Sequence, residues 1–475
     1  MSGPSKEGNS RVTTLLPATE AAIPIRCVDA AGWPAVAEGL TPVAAGFARA
    51  SGFEAKPGRV ALLPGPDGAL AAVLFGIETG GRADPFAVGR LPDALPEGTY
   101  RLEGLPGDPA LAALAWRLSG YRFGRYRERP APKARLVAPE GVDAAEIDRI
   151  ADAVAAGRDL VNTPANDLGP AEIEAAARAL AARFGAACTV VAGEALERGF
   201  PLITAVGRAS PRAPRLVDLA WGDPGAPRVT LVGKGVVFDT GGLDLKPAAA
   251  MLLMKKDMAG AAVALAAAEM VMGAGLPVRL RVLIATVENA VAGEAFRPGD
   301  VLASRQGLTV EIGNTDAEGR LILADALALA DEEAPDLVFD FATLTGAARV
   351  ALGPDLPALF TEDDALAAEI AATGLAVNDP VWRLPLWAPY AALLDSKIAD
   401  LNNVSSGPFA GAVTAALFLR RFAPSAKAHV HLDLYGWNPG TKPGRPEGGE
   451  VQTARLVYAL LKARYAVPSA ARSAS

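Results

Sequence analysis

Short apolar runs broken by Gly and Pro fill the first 140 residues, whereas further on runs of two different periods take turns. In the first stretch Arg59–Leu63 and Ala69–Phe75 have the length and turn-bounded edges of strands, and Asp108–Leu118 has helical spacing. The Pro- and Arg-rich segment Arg127–Pro139 marks a boundary, and Asp143–Asn162 is a long amphipathic run suited to a helix joining two halves. Beyond it, strand-like runs at Thr189–Val191, Arg215–Ala220, Arg228–Val232, Arg279–Thr286, Thr309–Ile312 and Asp336–Phe341 alternate with helical patterns. The latter lie at Ala171–Phe184, Ala259–Met272, Gly319–Asp331 and Val413–Phe422. Such alternation predicts an α/β fold with a central, mostly parallel sheet flanked by helices. The expected organisation is a smaller N-terminal α/β domain over 15–140, a linker helix over 141–165 and a larger α/β domain over 166–467. Polar, small residues up to about Ser10 and after Pro468 read as disordered.

The length of 475 residues also favours two domains over one. Lys+Arg is 46 and Asp+Glu 53, so 46 − 53 = −7, a balance that argues against a nucleic-acid or anionic-membrane surface. Cys27 and Cys188 are too few for a disulfide framework or a thiolate metal site and fit a reducing compartment. Met1–Ala18 lacks the charged tip and apolar stretch of a secretory signal, so a cytoplasmic location is expected. The apolar stretch Ala259–Val278 is interrupted by Glu269 and three glycines, which suits a buried helix better than a membrane span.

Three segments carry the unusual chemistry. Gly233–Pro247 sets Lys234, Asp239 and Lys246 among glycines directly after a predicted strand; it lacks the Gly-Lys-Ser/Thr ending of a phosphate loop, and a tight turn with solvated charges would also explain it. Asp257 precedes an apolar helix and could simply cap it. Asp316 and Glu318 lie in a loop between a strand and a helix, where capping is again sufficient. Together, however, four carboxylates and two lysines fall in loops around one predicted sheet, and ligands bind at the carboxyl ends of strands in open sheets. With only His429 and His431 in the chain, both in an alternating strand-like run and read as structural, any metal site has to be mainly carboxylate-based.

The run Asn314-Thr315-Asp316-Ala317-Glu318-Gly319-Arg320, followed by Leu321, resembles the signature of the leucyl aminopeptidase family of dinuclear metallo-exopeptidases. Gly233–Pro247, Met254–Met258, Glu288-Asn289, Arg297–Asp300, Thr343–Ala347, Leu384–Trp387 and Ala415–Leu419 resemble family segments in the same order. The resemblance implies that Asp239 and Glu318 bridge two divalent ions (Mn²⁺ or Zn²⁺). Asp316 would complete one metal site, and Lys234 with Asp257 the other. Lys246 and Arg320 would be catalytic without binding metal, Arg320 holding a bicarbonate as general base. A hydroxide shared by the two ions would attack the peptide carbonyl, Lys246 would stabilise the oxyanion, and the substrate's α-amine would meet one metal and Asp257. Met254, Thr343 and Gly346 would line the pocket for the first side chain, favouring Leu-like or other apolar residues. A homohexamer is implied as well, and a sedimentation mass well below six chains would exclude it.

Two departures bear on the pocket. Tyr435 stands where many relatives carry alanine, and Pro439–Gly449 differs from the commoner form, so both are expected to narrow or reshape it. Asp244, often serine in relatives, lies beside Lys246. Three other readings compete: a different dinuclear hydrolase such as a phosphatase, an aminopeptidase scaffold with an added nucleic-acid-binding or regulatory role, and a catalytically dead scaffold. The absence of metal-binding histidines together with the full signature weighs against the first, the −7 charge against the second and the seven intact site positions against the third.

Overall fold

The computed structural model describes residues 15–81 and 83–466, so the expected disorder before Ser10 and after Pro468 lies outside the described residues. The chain divides into two compact units, one of residues up to Ala155 with Gly440–Glu447, the other of Ala156–Pro439 with the residues from Gly448 on. The division falls inside the helix Ala144–Asn162.

In the first unit β1 (Ile23–Val28), β2 (Val60–Pro64), β3 (Leu70–Gly76), β4 (Gly98–Glu103) and β5 (Ala134–Leu136) form one sheet in the order β2-β3-β1-β4-β5. Alternation in β2 sends Ala61 and Leu63 to a core shared with Ala44 and Ala48 of the helix Pro42–Ala50. The helix Pro109–Ser119 is buried along nearly its whole length, and its buried Arg117 is paired with Asp148 (2.6 Å) and Asp152 (3.1 Å). Of the Pro/Gly-rich stretch Pro439–Gly449, residues Gly440–Glu447 are part of this unit, where Gly444 N donates to Ser119 Oγ (2.7 Å), whereas Pro439, Gly448 and Gly449 belong to the second.

The second unit is built on β6 (Ala187–Ala192), β7 (Arg215–Trp221), β8 (Arg228–Asp239), β9 (Arg279–Asn289), β12 (Leu337–Ala342), β13 (Ala358–Phe360), β14 (Trp382–Arg383) and β16 (His429–Asp433). Their order is β14-β13-β16-β12-β8-β9-β7-β6. The four central strands β16, β12, β8 and β9 are parallel, and β7 and β13 run antiparallel to their inner neighbours. A small sheet of β10 (Val301–Ala303), β11 (Thr309–Glu311) and β15 (Leu401–Asn402) lies in the same unit. β12 is buried at every residue, as expected of a parallel strand covered on both faces. The helix Ala259–Gly273 is likewise buried nearly all round, and among the described residues no helix is long and apolar enough to cross a membrane.

One local difference from the sequence pattern decides where the site forms. The strand expected at Arg228–Val232 continues to Asp239, so Lys234 and Asp239 belong to the sheet rather than to a loop. Pairing with β9, which runs on to Asp239↔Asn289 after β12 has stopped at Gly233, holds this Gly-rich extension in the sheet where local propensity alone would turn it. Gly260 allows the contact that braces it, because a Cβ there would stand 2.1 Å from Phe341 O.

Candidate metal centre

In a regular strand Lys234 and Asp239, five residues apart, would point to opposite faces. β8 carries a bulge instead: Val236 pairs with Val287 and Asp239 with Asn289, three steps against two. The extra residue turns Asp239 back to the side of Lys234. After it, Gly241 and Gly242 take left-handed backbone angles (φ +89° and +67°), which reverse the chain and bring Lys246 back over Asp239.

The remaining groups arrive from four other elements. Asp257 sits on the single turn Met254–Met258, Glu318 opens the helix Glu318–Asp331, Arg320 lies in its first turn, and Thr343 follows β12. Asp316 is in the loop after β11, which is clamped at both ends. Asn403 Oδ1 accepts from Gly313 N (2.8 Å) while its Nδ2 donates to Asn314 O (2.8 Å), and Asp244 Oδ2 accepts from Thr315 N (2.8 Å). Asp244 therefore serves the loop, whereas the Lys246 ammonium pairs with Asp239 (2.8 Å) and Asp316.

Lys234 is sunk among Asp257 (Nζ–Oδ2 2.8 Å), Glu318 (Nζ–Oε1 2.9 Å) and Thr343 O (3.1 Å). Gly319 makes room for it, since a Cβ would lie 2.5 Å from Lys234 Cε. Burial works against the Lys234 charge, but Asp257, Glu318 and Asp239 outweigh it and hold its pKa above the usual lysine value. Burial is likewise outweighed at Lys246 by Asp239 and Asp316. The carboxylates show the opposite strain. Burial and then Asp239 push Glu318 up to about 8 despite Lys234, and the same two causes raise Asp316 to about 6. Asp257 is lowered, because Lys234 and Lys256 overcome its burial.

Carboxylate oxygens of Asp239, Asp316 and Glu318 lie within 4.8 Å of one another. Glu318 Oε2 is buried without a hydrogen-bond partner. Crowded, hard oxygen donors of this kind suit divalent cations, so the residues present fit a metal centre. Arg320 donates from Nη1 to Asn403 O (2.6 Å), while its buried Nε has no partner, and burial lowers its pKa to about 10. Thr343 Oγ1 donates to Asp257 Oδ1 (2.6 Å), Gly346 begins the helix Gly346–Leu352, and Met254 begins the turn that carries Asp257.

Sequence reasoning did not single out Asn289, Asn403 or Asp433. Asn289 Nδ2 donates to Asp239 Oδ1 (2.9 Å) and Thr315 O (3.2 Å), and Asp433 receives Leu344 N (3.0 Å), Thr345 N (3.2 Å) and the Thr345 hydroxyl (2.6 Å). A lone Asn at a strand end carries no periodic or charge signal; the signal available was the Glu288-Asn289 pair itself. His429 and His431 bond Asp340 rather than any of the four site carboxylates.

Fold and site together define an α/β protein with a buried carboxylate cluster, fit for divalent ions, along the carboxyl ends of parallel strands. Residues 155–461 match the catalytic domain of the cytosol aminopeptidase family, M17, and residues 23–139 match the M17 aminopeptidase N-terminal domain. The chain belongs to that family, and is thereby an enzyme of the aminopeptidase class of peptide hydrolases. It is 42% identical over 379 residues to a probable cytosol aminopeptidase of Syntrophotalea carbinolica, covering 76% of each chain. A crystal structure of the cytosol aminopeptidase of Coxiella burnetii superposes with a TM-score of 0.91 at 45% identity, over 94% of this chain and 98% of that one. The bottromycin maturation enzyme BotP in complex with Mn superposes at 0.84 and 37% identity, over 94% of this chain and 100% of that one.

Proposed function

We propose that the protein removes N-terminal residues from peptides with two divalent metal ions held by Asp239, Asp257, Asp316, Glu318 and the Lys234 amine. The observation that carries this reading is the crowded carboxylate set, with Glu318 Oε2 buried and unpartnered while its Oε1 pairs with Lys234. Ions bound there would supply Lewis-acid polarisation of the scissile carbonyl and a lowered pKa for an attacking water. Mn in the BotP complex supports manganese, with zinc the alternative.

The chain's own groups do the rest. Lys234 can act as a ligand only after losing its proton, and cations among the same carboxylates would remove the field that now holds that proton. Lys246 remains charged, with its side chain 14% exposed against 3% for Lys234, and is the group within reach of the substrate's developing oxyanion. The Arg320 Nε, buried and unused, together with the planar guanidinium fork, suits a bicarbonate that would take the water's proton. Asp257, braced by the Thr343 hydroxyl, offers its charge to the substrate's α-amine and so reads the chain end. Met254, Thr343 and Gly346 border the first side chain.

The test is hydrolysis of aminoacyl-p-nitroanilides by metal-stripped protein and by protein reloaded with manganese or zinc. Metal-dependent release that vanishes when the α-amine is blocked is the expected result. No turnover with two metals bound per chain would defeat the reading.

A further inference from the structure

Lys256 precedes Asp257 on the same short turn but points elsewhere. It is 5% exposed, and among the described residues it has neither hydrogen bond nor ion pair. Its neighbour Lys255 shows the ordinary solution, donating to Asn162 O (2.6 Å). The Lys256 ammonium instead lies 4.6 Å from the centroid of the Tyr435 ring, and the Arg349 guanidinium lies 5.5 Å from the same centroid. Arg349 also forms no ion pair among the described residues. A cation over an aromatic face gains about 0.5–2 kcal/mol, well short of what burying an unpaired ammonium costs.

These groups adjoin Thr343 and Gly346, proposed above to border the substrate's first side chain. Tyr435 is pinned because its own N–H and that of Gly436 donate to Gln452 Oε1 (3.1 and 3.0 Å). A Cβ at Gly436 would stand 3.2 Å from Thr343 Cγ2, so the backbone directly after Tyr435 runs beside Thr343. On the facing helix, a Cβ at Gly346 would find only an Arg349 nitrogen, 4.0 Å away across open space. Two cations thus lie beside Thr343 and Gly346, and among the described residues neither forms an ion pair, Asp257 and Asp433 attracting Lys256 only from beyond ion-pair distance.

We propose that Lys256 and Arg349, held by Tyr435, form a carboxylate subsite for the substrate's first side chain, so that the enzyme prefers N-terminal glutamate or aspartate to leucine. A leucine side chain would cover the ammonium further and return nothing, whereas a carboxylate supplies the missing partner. This rests on the aminopeptidase reading and replaces its expected apolar preference.

The deciding experiment compares kcat/KM for Glu-, Asp-, Leu- and Met-p-nitroanilide in the wild type, Lys256→Met and Arg349→Met. Acidic substrates are expected to lead leucine by about tenfold or more, and each variant should lower Glu while raising Leu. A lead for Leu or Met, or an equal loss on all substrates, would overturn the proposal. Because these anilides lack a terminal carboxylate, Leu-Gly is run against Leu-Gly-amide. Equal rates are expected, and a requirement for the free carboxylate would move the subsite to the peptide's other end and refute this one. If nothing is hydrolysed the aminopeptidase reading fails instead, and thermal-shift titration with L-glutamate and L-leucine still decides the subsite. Stabilisation by glutamate alone supports it, and stabilisation by leucine alone or by neither overturns it.

Discussion

Asp340 and Glu318 are both carboxylates removed from water in the same unit, 0% and 1% exposed, yet folding has treated them in opposite ways. Both oxygens of Asp340 are taken, by His429 Nε2 (2.7 Å) and His431 Nδ1 (2.6 Å). Burial works against its charge, but His431 and His429 prevail and hold its pKa at about 2. Glu318 has one oxygen on Lys234 and the other on nothing, and it rises to about 8. Burial alone therefore does not mark a functional carboxylate. What marks it is burial without enough partners inside the protein, because a native fold satisfies its buried polar groups unless something from outside will do so.

That contrast can be broken most decisively at Glu318. Glu318→Gln is expected to lower kcat/KM on the order of a thousandfold, the cost of several kcal/mol of lost charge stabilisation, while leaving the melting temperature of metal-free protein equal or higher. The converse substitution, Asp340→Ala, strands two buried histidines and should cost about 3–5 kcal/mol of stability, read as a lowered melting temperature, with a far smaller loss of activity per folded molecule. An inactive but stable Asp340→Ala protein would overturn the division between the two clusters. Lys246→Met should lower kcat by about 10²–10³ with metal content and KM little changed, since its charge is needed only as the oxyanion forms.

The smallest effect concerns pH. A carboxyl whose folded pKa is raised contributes stability that is fully present below its unfolded value and is lost as pH rises through the folded one. For Glu318 that window runs from the ordinary glutamate range up to about 8, with Asp316 adding to it up to about 6. Metal-stripped protein should therefore melt at progressively lower temperature from about pH 4.5 up to about 8, manganese should reverse the trend, and Glu318→Gln should flatten it. A metal-free protein whose melting temperature rises over that range would show that the strain at Glu318 is relieved in some other way.

Much of the fold was legible along the chain because parallel strands covered on both faces leave continuous apolar runs, such as Leu337–Ala342, and helices leave a different period. The site was legible for a separate reason: Asn314–Leu321 and Gly233–Pro247 are dense in residues that only a shared chemistry keeps together. The chain from Lys234 on was read as loop because glycines there signal a turn, and only pairing with β9 makes it strand. Tyr435 was visible as a departure from relatives. Its meaning was not, since Lys256 and Arg349 lie 179 and 86 positions upstream and meet the ring only in space.

By itself the sequence determined the α/β class, the family and the identities of the charged groups, since each of these is written in local period or contiguous motif. The tertiary structure alone decided which charges would be satisfied. A one-residue bulge set Asp239 beside Lys234, two histidines closed around Asp340, and Glu318, Arg320 and Lys256 were left with groups unpaired. Pairing of this kind depends on distances of a few ångströms between segments a hundred residues apart, and no local pattern encodes those distances.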